Sequence, residues 1–202
     1  MQSQLEIYID DFGEVCFGVA CKQQSVIATT FAENEPQVRA SLSKIVNLLE
    51  PIQVASETSV FAKRVLGVLR KIYEGKDVNE KVPLSLAGLP NYTQRVLEMV
   101  SQIPVGYVCS YGGVAEAAGG GARAVGNVMA ANRFAPIVPC HRVVTSSLGL
   151  GGYGGGLRTK LEFLRREKRG YVQQNEVLVG CKKLQVFPVE FVLSKYSSQL
   201  TV

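Results

Sequence analysis

The residue best suited to chemistry in this 202-residue chain is Cys140, which stands beside the only histidine. A cysteine attacks as its thiolate, and an unperturbed thiol pKa of about 8.5 leaves few thiolates at neutral pH. His141 could accept the thiol proton, either directly or through a water molecule. Val138 precedes a proline, which favours an extended approach of the chain to Cys140. The pattern predicts a cysteine nucleophile with a neighbouring base.

A base of this kind needs a group that orients its imidazole. Glu167 is the candidate, because it follows a glycine-rich segment on a predicted helix, and a carboxylate would stabilise His141 as it gains charge. The alternative is an inert buried thiol beside a surface imidazole. The apolar flanks of Cys140 and the six glycines among residues 149–156 favour the nucleophile, since they predict a rigid setting next to a loop that a substrate can approach closely.

Composition and charge narrow the class of protein. Hydrophobic residues make up 47% of the chain and charged residues 19%, which predicts a packed core. No apolar run reaches the length of a membrane span, and Met1–Gln4 lacks the features of a secretory signal. We therefore expect no membrane partner and a location in the cytoplasm of a prokaryote or the nucleus of a eukaryote. The five cysteines include no Cys-x-x-Cys pair, so neither a metal site nor a cofactor is expected.

The positive charge is concentrated in one segment. The chain has a net charge of +5, and residues 91–171 carry 10 Lys/Arg against 4 Asp/Glu. Residues 1–90 carry 9 Lys/Arg against 11 Asp/Glu. This asymmetry favours a polyanionic partner for the middle segment.

Apolar periodicity predicts an α/β N-terminal domain, a small sheet plus helices, followed by a mainly α C-terminal domain. Residues 1–90 form the first domain and its linker, 91–171 the second, and 172–202 an extension that either packs on the body of the protein or makes a dimer contact. The predicted elements of the first domain are strands at Leu5–Ile9, Glu14–Ala20 and Ser25–Thr30, helices at Pro36–Leu49 and Val60–Tyr73, and a linker at Glu74–Pro90.

The second domain contains two short helices separated by glycines. Ser110 is the predicted N-cap of a helix over Tyr111–Ala118, and Gly119–Gly121 forms a turn before a helix over Ala122–Ala131. The pair is either a helix-turn-helix or an ordinary αα-hairpin. Two more N-termini are predicted from capping patterns, one at Asn91–Gln94 and one at Thr159–Glu162 whose helix runs to about Lys168.

The segment around Cys140 resembles the active-site signature of the O6-alkylguanine-DNA alkyltransferases, also called methylated-DNA–protein-cysteine methyltransferases. The resemblance covers roughly residues 91–171 in the order of that family. The matching segments are Ile103–Tyr111, Ala122–Gly126, Asn132, Ile137–Val143, Gly152–Leu157 and Lys160. It implies a helix-turn-helix and irreversible transfer of an alkyl group from O6-alkylguanine in double-stranded DNA to Cys140.

The same resemblance implies how DNA is bound. The base would be extruded from the duplex, because its alkyl carbon is out of reach inside the stack. Arg123 would enter the stack and fill the vacated space; the alternative is a phosphate contact at the start of a helix. Small residues would let the second helix approach the minor groove closely. They are Ala122, Ala124, Gly126 and Ala130.

The remaining site residues also follow from the resemblance. Tyr111 would donate a hydrogen bond to the departing guanine, or else pack the first helix of the pair. Asn132 would brace the turn that carries Cys140. The pocket would be lined by Tyr153, Gly154, Gly155, Val143 and Lys160, although Lys160 could equally lie exposed in the first turn of its helix.

One position departs from the family pattern, because many members have serine where this chain has Gly154. Three other functions compete with alkyl transfer. The first is a lesion-binding relative without transfer, which would lack the acceptor cysteine. The second is a helix-turn-helix regulator, which would need neither Cys-His nor the glycine loop. The third is a Cys-His hydrolase, for which no further motif exists. We expect a monomeric, single-turnover protein.

Overall fold

The computed structural model describes residues 5–46, 52–54 and 59–199, with the side chains of 52–54 and 197–199 left aside. These residues form two compact units, each considered by itself. The first contains residues 1–73, 77–88 and 133–137, and the second contains 74–76, 89–132 and 138–202. In the part of the chain that is described, no helix is long and apolar enough to cross a membrane.

The first unit is a four-stranded sheet with helices. Its elements are β1 (Leu5–Asp11), β2 (Cys16–Lys22), β3 (Ser25–Ala32), α1 (Glu35–Val46), β4 (Ile52–Val54) and α2 (Val60–Tyr73). The strand order is β3-β2-β1-β4, with β4 parallel to β1 and the other pairs antiparallel. The α/β prediction is therefore confirmed for this unit; the predicted end of the first helix, residues 47–49, lies outside the described residues.

The core of this unit lies between the sheet and α1. Val38, Leu42 and Val46 are spaced at three or four residues, so they share one face of the helix and are fully buried against strand residues such as Ile7 and Ala20. The predicted linker also pairs with the sheet edge, since the amide of Val26 donates to Pro83 O and the amide of Ser85 to Val26 O, both at 2.8 Å.

The second unit combines helices with a second sheet. Its elements are α3 (Asn91–Ser101), β5 (Tyr107–Ser110), α4 (Tyr111–Ala118), α5 (Ala122–Ala130), β6 (Val143–Val144), α6 (Leu157–Arg166), β7 (Asn175–Val179), β8 (Lys182–Pro188) and α7 (Val189–Leu193). A single turn of 3-10 helix covers Cys140–Arg142, and a six-residue 3-10 segment with a kink at Tyr196 covers Ser194–Gln199. The strand order is β6-β5-β8-β7.

This sheet makes the mainly α prediction incomplete. β5 and β6 have only four and two residues, so neither is long enough to show the alternation that marks a strand in a sequence. β8 lies in the extension and joins β5 through the pairs Tyr107↔Pro188 and Val108↔Phe187. The extension thus supplies two of the four strands of this sheet.

Helix starts were predicted with mixed success. Ser110 caps α4 as predicted, its hydroxyl accepting the Gly113 amide at 2.9 Å. The predicted cap at Asn91 is wrong, because the N-cap of α3 is Pro90 and no side chain caps it. The capping box at Thr159 is wrong too: α6 begins at Leu157 with Gly156 as its N-cap and ends at Arg166. Both errors arose because a capping pattern inside a first turn resembles one at its start.

Candidate active site

The turn that carries Cys140 is built from backbone hydrogen bonds. The Cys140 amide donates to Val138 O at 2.8 Å across Pro139, whose φ of −79° and ψ of 68° are those of an inverse γ-turn. Asn132 Nδ2 donates to the same Val138 carbonyl at 3.0 Å. The carbonyl therefore accepts two hydrogen bonds, which hold the turn and leave the Cys140 side chain 6% exposed.

A buried ionic cluster follows the nucleophile in the sequence. Glu167, the C-cap of α6, accepts from Arg142 Nε at 3.0 Å and from Arg142 NH2 at 2.8 Å. Arg142 NH1 donates to Ile103 O at 2.6 Å. His141 Nε2 lies 2.9 Å from Glu167 Oε1, and its ring stacks on Phe163 with centroids 4.6 Å apart. The charged groups of Glu167 and Arg142 and the Nε2 of His141 are thus paired, as burial requires.

The protonation states in this cluster follow from burial and charge. Burial alone would raise the pKa of Glu167, but the Arg142 and His141 charges outweigh it and lower that pKa to about 2. Burial lowers the pKa of His141, partly offset by Glu167. A neutral imidazole that faces a carboxylate must carry its proton on Nε2, so Nδ1 retains a lone pair. Among the described residues, this buried Nδ1 has no hydrogen-bond partner.

The Cys140 thiol has neighbours other than His141. Burial raises its pKa, while the neighbouring Asn132 and Tyr153 side chains and the Lys160 charge act in the opposite direction. The net effect is an increase, so the group is a thiol at neutral pH and needs a base before it can attack.

Lys160 is fully buried, which settles the choice left open by its position in the sequence. Its Nζ donates to Val143 O at 2.5 Å and to Leu150 O at 2.6 Å. Burial lowers its pKa to about 8. Its Nζ also lies 6.0 Å from the ring centre of Tyr111 and 5.7 Å from that of Tyr153. The ammonium group of Lys160 therefore links β6 to the glycine loop through two hydrogen bonds.

The glycine loop and Tyr111 border the thiol. The Tyr111 hydroxyl donates to Gly152 O at 3.3 Å, and burial together with the Cys140 charge raises its pKa. The Tyr153 hydroxyl is buried, and burial and Cys140 raise its pKa as well. Gly154 and Gly155 are exposed. Val143, expected to line the pocket, is instead fully buried in β6, and its carbonyl serves Lys160.

The helix pair α4–α5 presents a surface of small residues. Ala122, Arg123 and Ala130 are exposed, and Ala124 and Gly126 are half-buried. The opposite face of α5 is buried through Val125, Val128 and Met129. Gly119, with a φ of 75°, makes the turn between the two helices possible. The described residues contain no group of three His, Cys, Asp or Glu that could hold a metal ion.

Three contributors were missed in the sequence. Arg142 was noted only as part of the signature sequence and was given no role. It forms an ion pair with Glu167, and a basic residue beside the histidine together with an acidic residue at a helix end could have indicated that pair. Leu150 and Tyr196 were also missed. The Leu150 amide donates to the Tyr196 hydroxyl at 3.1 Å across 46 residues, a contact without any local sequence signal.

Gly154 and Gly151 provide a contrasting pair of substitutions. A Cβ on Gly154 would meet nothing within 4 Å, whereas one on Gly151 would lie 2.9 Å from Tyr111 Cε2, at a φ of +67°. We expect the free energy of unfolding of Gly154→Ser to lie within about 0.5 kcal/mol of the wild-type value, and that of Gly151→Ser to fall by about 2 kcal/mol. Urea unfolding monitored by circular dichroism measures both. Equal losses would show that the loop has another conformation in solution.

The sequence matches a protein-family model at residues 91–169, described as the DNA-binding domain of 6-O-methylguanine DNA methyltransferase. The methylated-DNA–protein-cysteine methyltransferase of Mycobacterium leprae is 40% identical over 135 residues, which span 65% of this chain and 81% of that protein. The protein of the same name from Methanothermobacter thermautotrophicus is 36% identical over 124 residues, which span 59% of this chain and 70% of that protein.

Solved structures give the same result. The O6-methylguanine-DNA methyltransferase of the hyperthermophilic archaeon Pyrococcus kodakaraensis is similar with a TM-score of 0.67 and 26% identity, over 81% of this chain and 99% of that chain. The Mycobacterium tuberculosis OGT in complex with DNA has a TM-score of 0.64 and 27% identity, over 80% and 92% of the two chains. Because the sequence relatives, the family model and the folds agree, the chain belongs to the methylated-DNA–protein-cysteine methyltransferase family.

Proposed function

We propose that this protein repairs DNA by transferring the alkyl group of O6-alkylguanine to Cys140. The observation that carries the proposal is a buried thiol next in sequence to a buried histidine whose lowered pKa and unbonded Nδ1 suit it to accept a proton. The names of the relatives, methylated-DNA–protein-cysteine methyltransferases, support the same reaction. Acyl transfer by a Cys-His hydrolase is not favoured, since the relatives are named as methyltransferases.

In the proposed reaction the thiol proton passes through a water molecule to His141 Nδ1, and Glu167 stabilises the resulting imidazolium. The sulfur then attacks the alkyl carbon. The new bond joins sulfur to that carbon, the bond from carbon to O6 breaks, and its electron pair remains on the guanine. Tyr111 donates a hydrogen bond to the base as this charge develops. The guanine anion then takes up a proton from solvent and the imidazolium releases the thiol proton to solvent, so in sum the alkyl group on guanine is replaced by a proton and the proton on sulfur by the alkyl group.

The product explains why one turnover per molecule is expected. A thioether carbon is a poor electrophile, and nothing in this cluster is arranged to displace the sulfur again. In the proposed path His141 Nδ1 is the base, and it acts on the thiol side of the reaction. Cys140 is therefore consumed, and the protein acts as a reagent in stoichiometric amounts.

DNA binding is assigned to α4 and α5, used as a helix-turn-helix. The small exposed residues of α5 would allow the helix to approach the floor of the minor groove, where larger side chains would be excluded. The net charge of residues 91–171 suits contacts with phosphates. The partner is double-stranded DNA containing O6-alkylguanine, bound by a monomer with the damaged base extruded from the stack.

Arg123 is the residue proposed to fill the space left by the base. It is exposed and is the second residue of α5, where a cation opposes the helix dipole, so helix stability does not explain its presence. We expect Arg123→Ala to slow repair of duplex DNA about tenfold or more while leaving the reaction with free O6-alkylguanine nearly unchanged. Quenched-flow measurement of transfer to each substrate tests this.

Arg39→Ala, which removes an exposed arginine from α1, is the matched control for the loss of one positive charge. It should change neither rate. If Arg123→Ala slowed transfer from duplex DNA and from the free base equally, the stack-filling role would be contradicted. Arg123 would then contribute to the active site in general.

A single mass measurement tests the proposed function as a whole. The protein is incubated with a duplex containing O6-methylguanine, digested with trypsin and the peptide of residues 134–142 is weighed. One added methyl group on this peptide is expected. Tight binding of the lesion with no added mass would favour a lesion-binding protein without transfer, and equal affinity for undamaged duplexes of a preferred sequence would favour a regulator.

A further inference from the structure

The C-terminal extension packs against the part of the second unit that holds the glycine loop. The family model ends at residue 169, so the extension lies beyond it. Val192, Leu193 and Tyr196 belong to one apolar cluster with Val144 and Leu150. β8 also pairs with β5, the strand that precedes Tyr111. The extension therefore contacts residues that adjoin the site and can affect the site through them.

Both backbone polar groups of Leu150 make hydrogen bonds to side chains. Its amide donates to the Tyr196 hydroxyl at 3.1 Å, and its carbonyl accepts from Lys160 Nζ at 2.6 Å. The side chain is 5% exposed. A second contact from the extension lies nearby, where Lys195 Nζ donates to Ser147 O. The residue that follows is Gly151, so the anchored peptide is the start of the loop that carries Tyr153 beside the thiol.

We propose that Tyr196 is a positioning residue for alkyl transfer: its hydroxyl fixes the Leu150 peptide, and through it both Lys160 and the loop that borders Cys140. The inference rests on the proposed function and names a residue outside the family match that serves the same site. Tyr196 touches neither the base nor the thiol, and it acts through Leu150 alone.

The physical reason is the cost of an unpaired buried amide. Without the hydroxyl, the Leu150 N–H has no acceptor unless the peptide moves towards water. Such a movement takes the Leu150 carbonyl away from Lys160. An ammonium group that loses an acceptor is more easily deprotonated, so the pKa of Lys160 would fall further below its ordinary value. The positive charge beside Cys140 would then be lost at a lower pH.

The experiment uses the full chain with Tyr196→Phe, which keeps the ring in the apolar cluster and removes only the hydroxyl. Transfer from a duplex containing O6-methylguanine is followed at saturating protein as a function of pH, and affinity for undamaged duplex is measured separately. We expect the maximal rate to fall about tenfold, the affinity to stay the same and the alkaline decline of the rate to begin at lower pH.

Two controls separate positioning from stability. Tyr171→Phe removes a hydroxyl from the residue just before the extension, on a ring that stacks on Tyr107, and should leave the rate and the pH profile unchanged. Val192→Ala opens a cavity in the cluster around Tyr196 without removing the hydrogen bond, so it should lower the melting temperature and leave the rate unchanged well below melting.

The outcomes are distinguishable. A wild-type protein that transfers no alkyl group refutes the proposed function itself. A working wild type with Tyr196→Phe at the same rate and pH profile refutes the role of Tyr196. If Val192→Ala slows transfer as much as Tyr196→Phe at matched loss of stability, Tyr196 contributes to folding only, and the positioning role is overturned.

Discussion

Cys140→Ser is expected to abolish alkyl transfer while retaining DNA binding. A serine hydroxyl is a far weaker acid and nucleophile than a thiol, and His141 Nδ1 does not deprotonate it enough to attack an alkyl carbon. The substitution changes little in volume, and the neighbours of the sulfur, Asn132 and Tyr153, can hydrogen-bond an oxygen equally well. The rate should fall by at least about 10⁴-fold, the order of loss on removing a nucleophile. Methyl transfer by mass and duplex affinity by fluorescence anisotropy measure the two properties.

Cys181→Ser is the matched control, since it makes the same chemical change at an exposed cysteine in the turn between β7 and β8. It should transfer the methyl group at the wild-type rate. Methylation that persists in Cys140→Ser and disappears in Cys181→Ser would identify the wrong acceptor and refute the assignment. Loss of duplex binding in Cys140→Ser would mean that the turn at Val138 had not formed.

Glu167→Gln is expected to have the second-largest effect, on stability as well as on rate. The carboxylate is 1% exposed and pairs with both Arg142 and His141. Its removal leaves the Arg142 charge buried without a counterion, which typically costs about 3–5 kcal/mol. His141 would also lose the negative charge that stabilises it as an imidazolium, so the rate should fall together with the free energy of unfolding. Guanidinium unfolding and single-turnover transfer at low temperature measure the two effects.

The pH dependence of stability identifies the same carboxylate. A pKa lowered from 4.5 to about 2 in the folded state stabilises the fold at pH values above 4.5, and this contribution is lost as the pH falls from 4.5 to about 2. The difference in unfolding free energy between wild type and Glu167→Gln should therefore be constant near neutral pH and shrink over that window. Glu167 also raises the pKa of His141, so below the ordinary histidine pKa of 6.5 the difference includes a contribution from His141.

Glu162→Gln is the control for this second prediction, because Glu162 lies on the same helix and pairs with Arg165 and Arg166 at the surface. Exposed pairs of this kind contribute at most about 1 kcal/mol, so the variant should resemble the wild type. A Glu167→Gln protein as stable as Glu162→Gln at neutral pH would show that Arg142 is not buried with Glu167 in solution.

Much of the site could be predicted because its residues are close in sequence or carry chemistry. Cys140 and His141 are neighbours, and Glu167 was named as the orienting group because a base needs one. The structure places its Oε1 2.9 Å from the imidazole. The helices around Gly119–Gly121 were also predictable, since Ser110 and the glycines are strong local signals.

Other features had no local signal. Lys160 occupies the fourth position of an amphipathic helix and has the composition of a surface residue, but two backbone carbonyls from distant segments draw it inside. The second sheet was missed because β5 and β6 are so short that only their partners make them strands. Val143 was expected to line the pocket. In the structure it lies opposite Cys109 in the parallel pair of β5 and β6, where it is buried.

By itself, the sequence determined the family and indicated a candidate nucleophile and base, because thiol, imidazole and signature are properties of residue type and order. Only the tertiary structure decided which groups surround the thiol, that Lys160 is buried, and that Tyr196 meets Leu150 across 46 residues. The reason is physical: hydrogen bonds and burial depend on distances in space, and those are set when the sheets and helices pack, not by spacing along the chain.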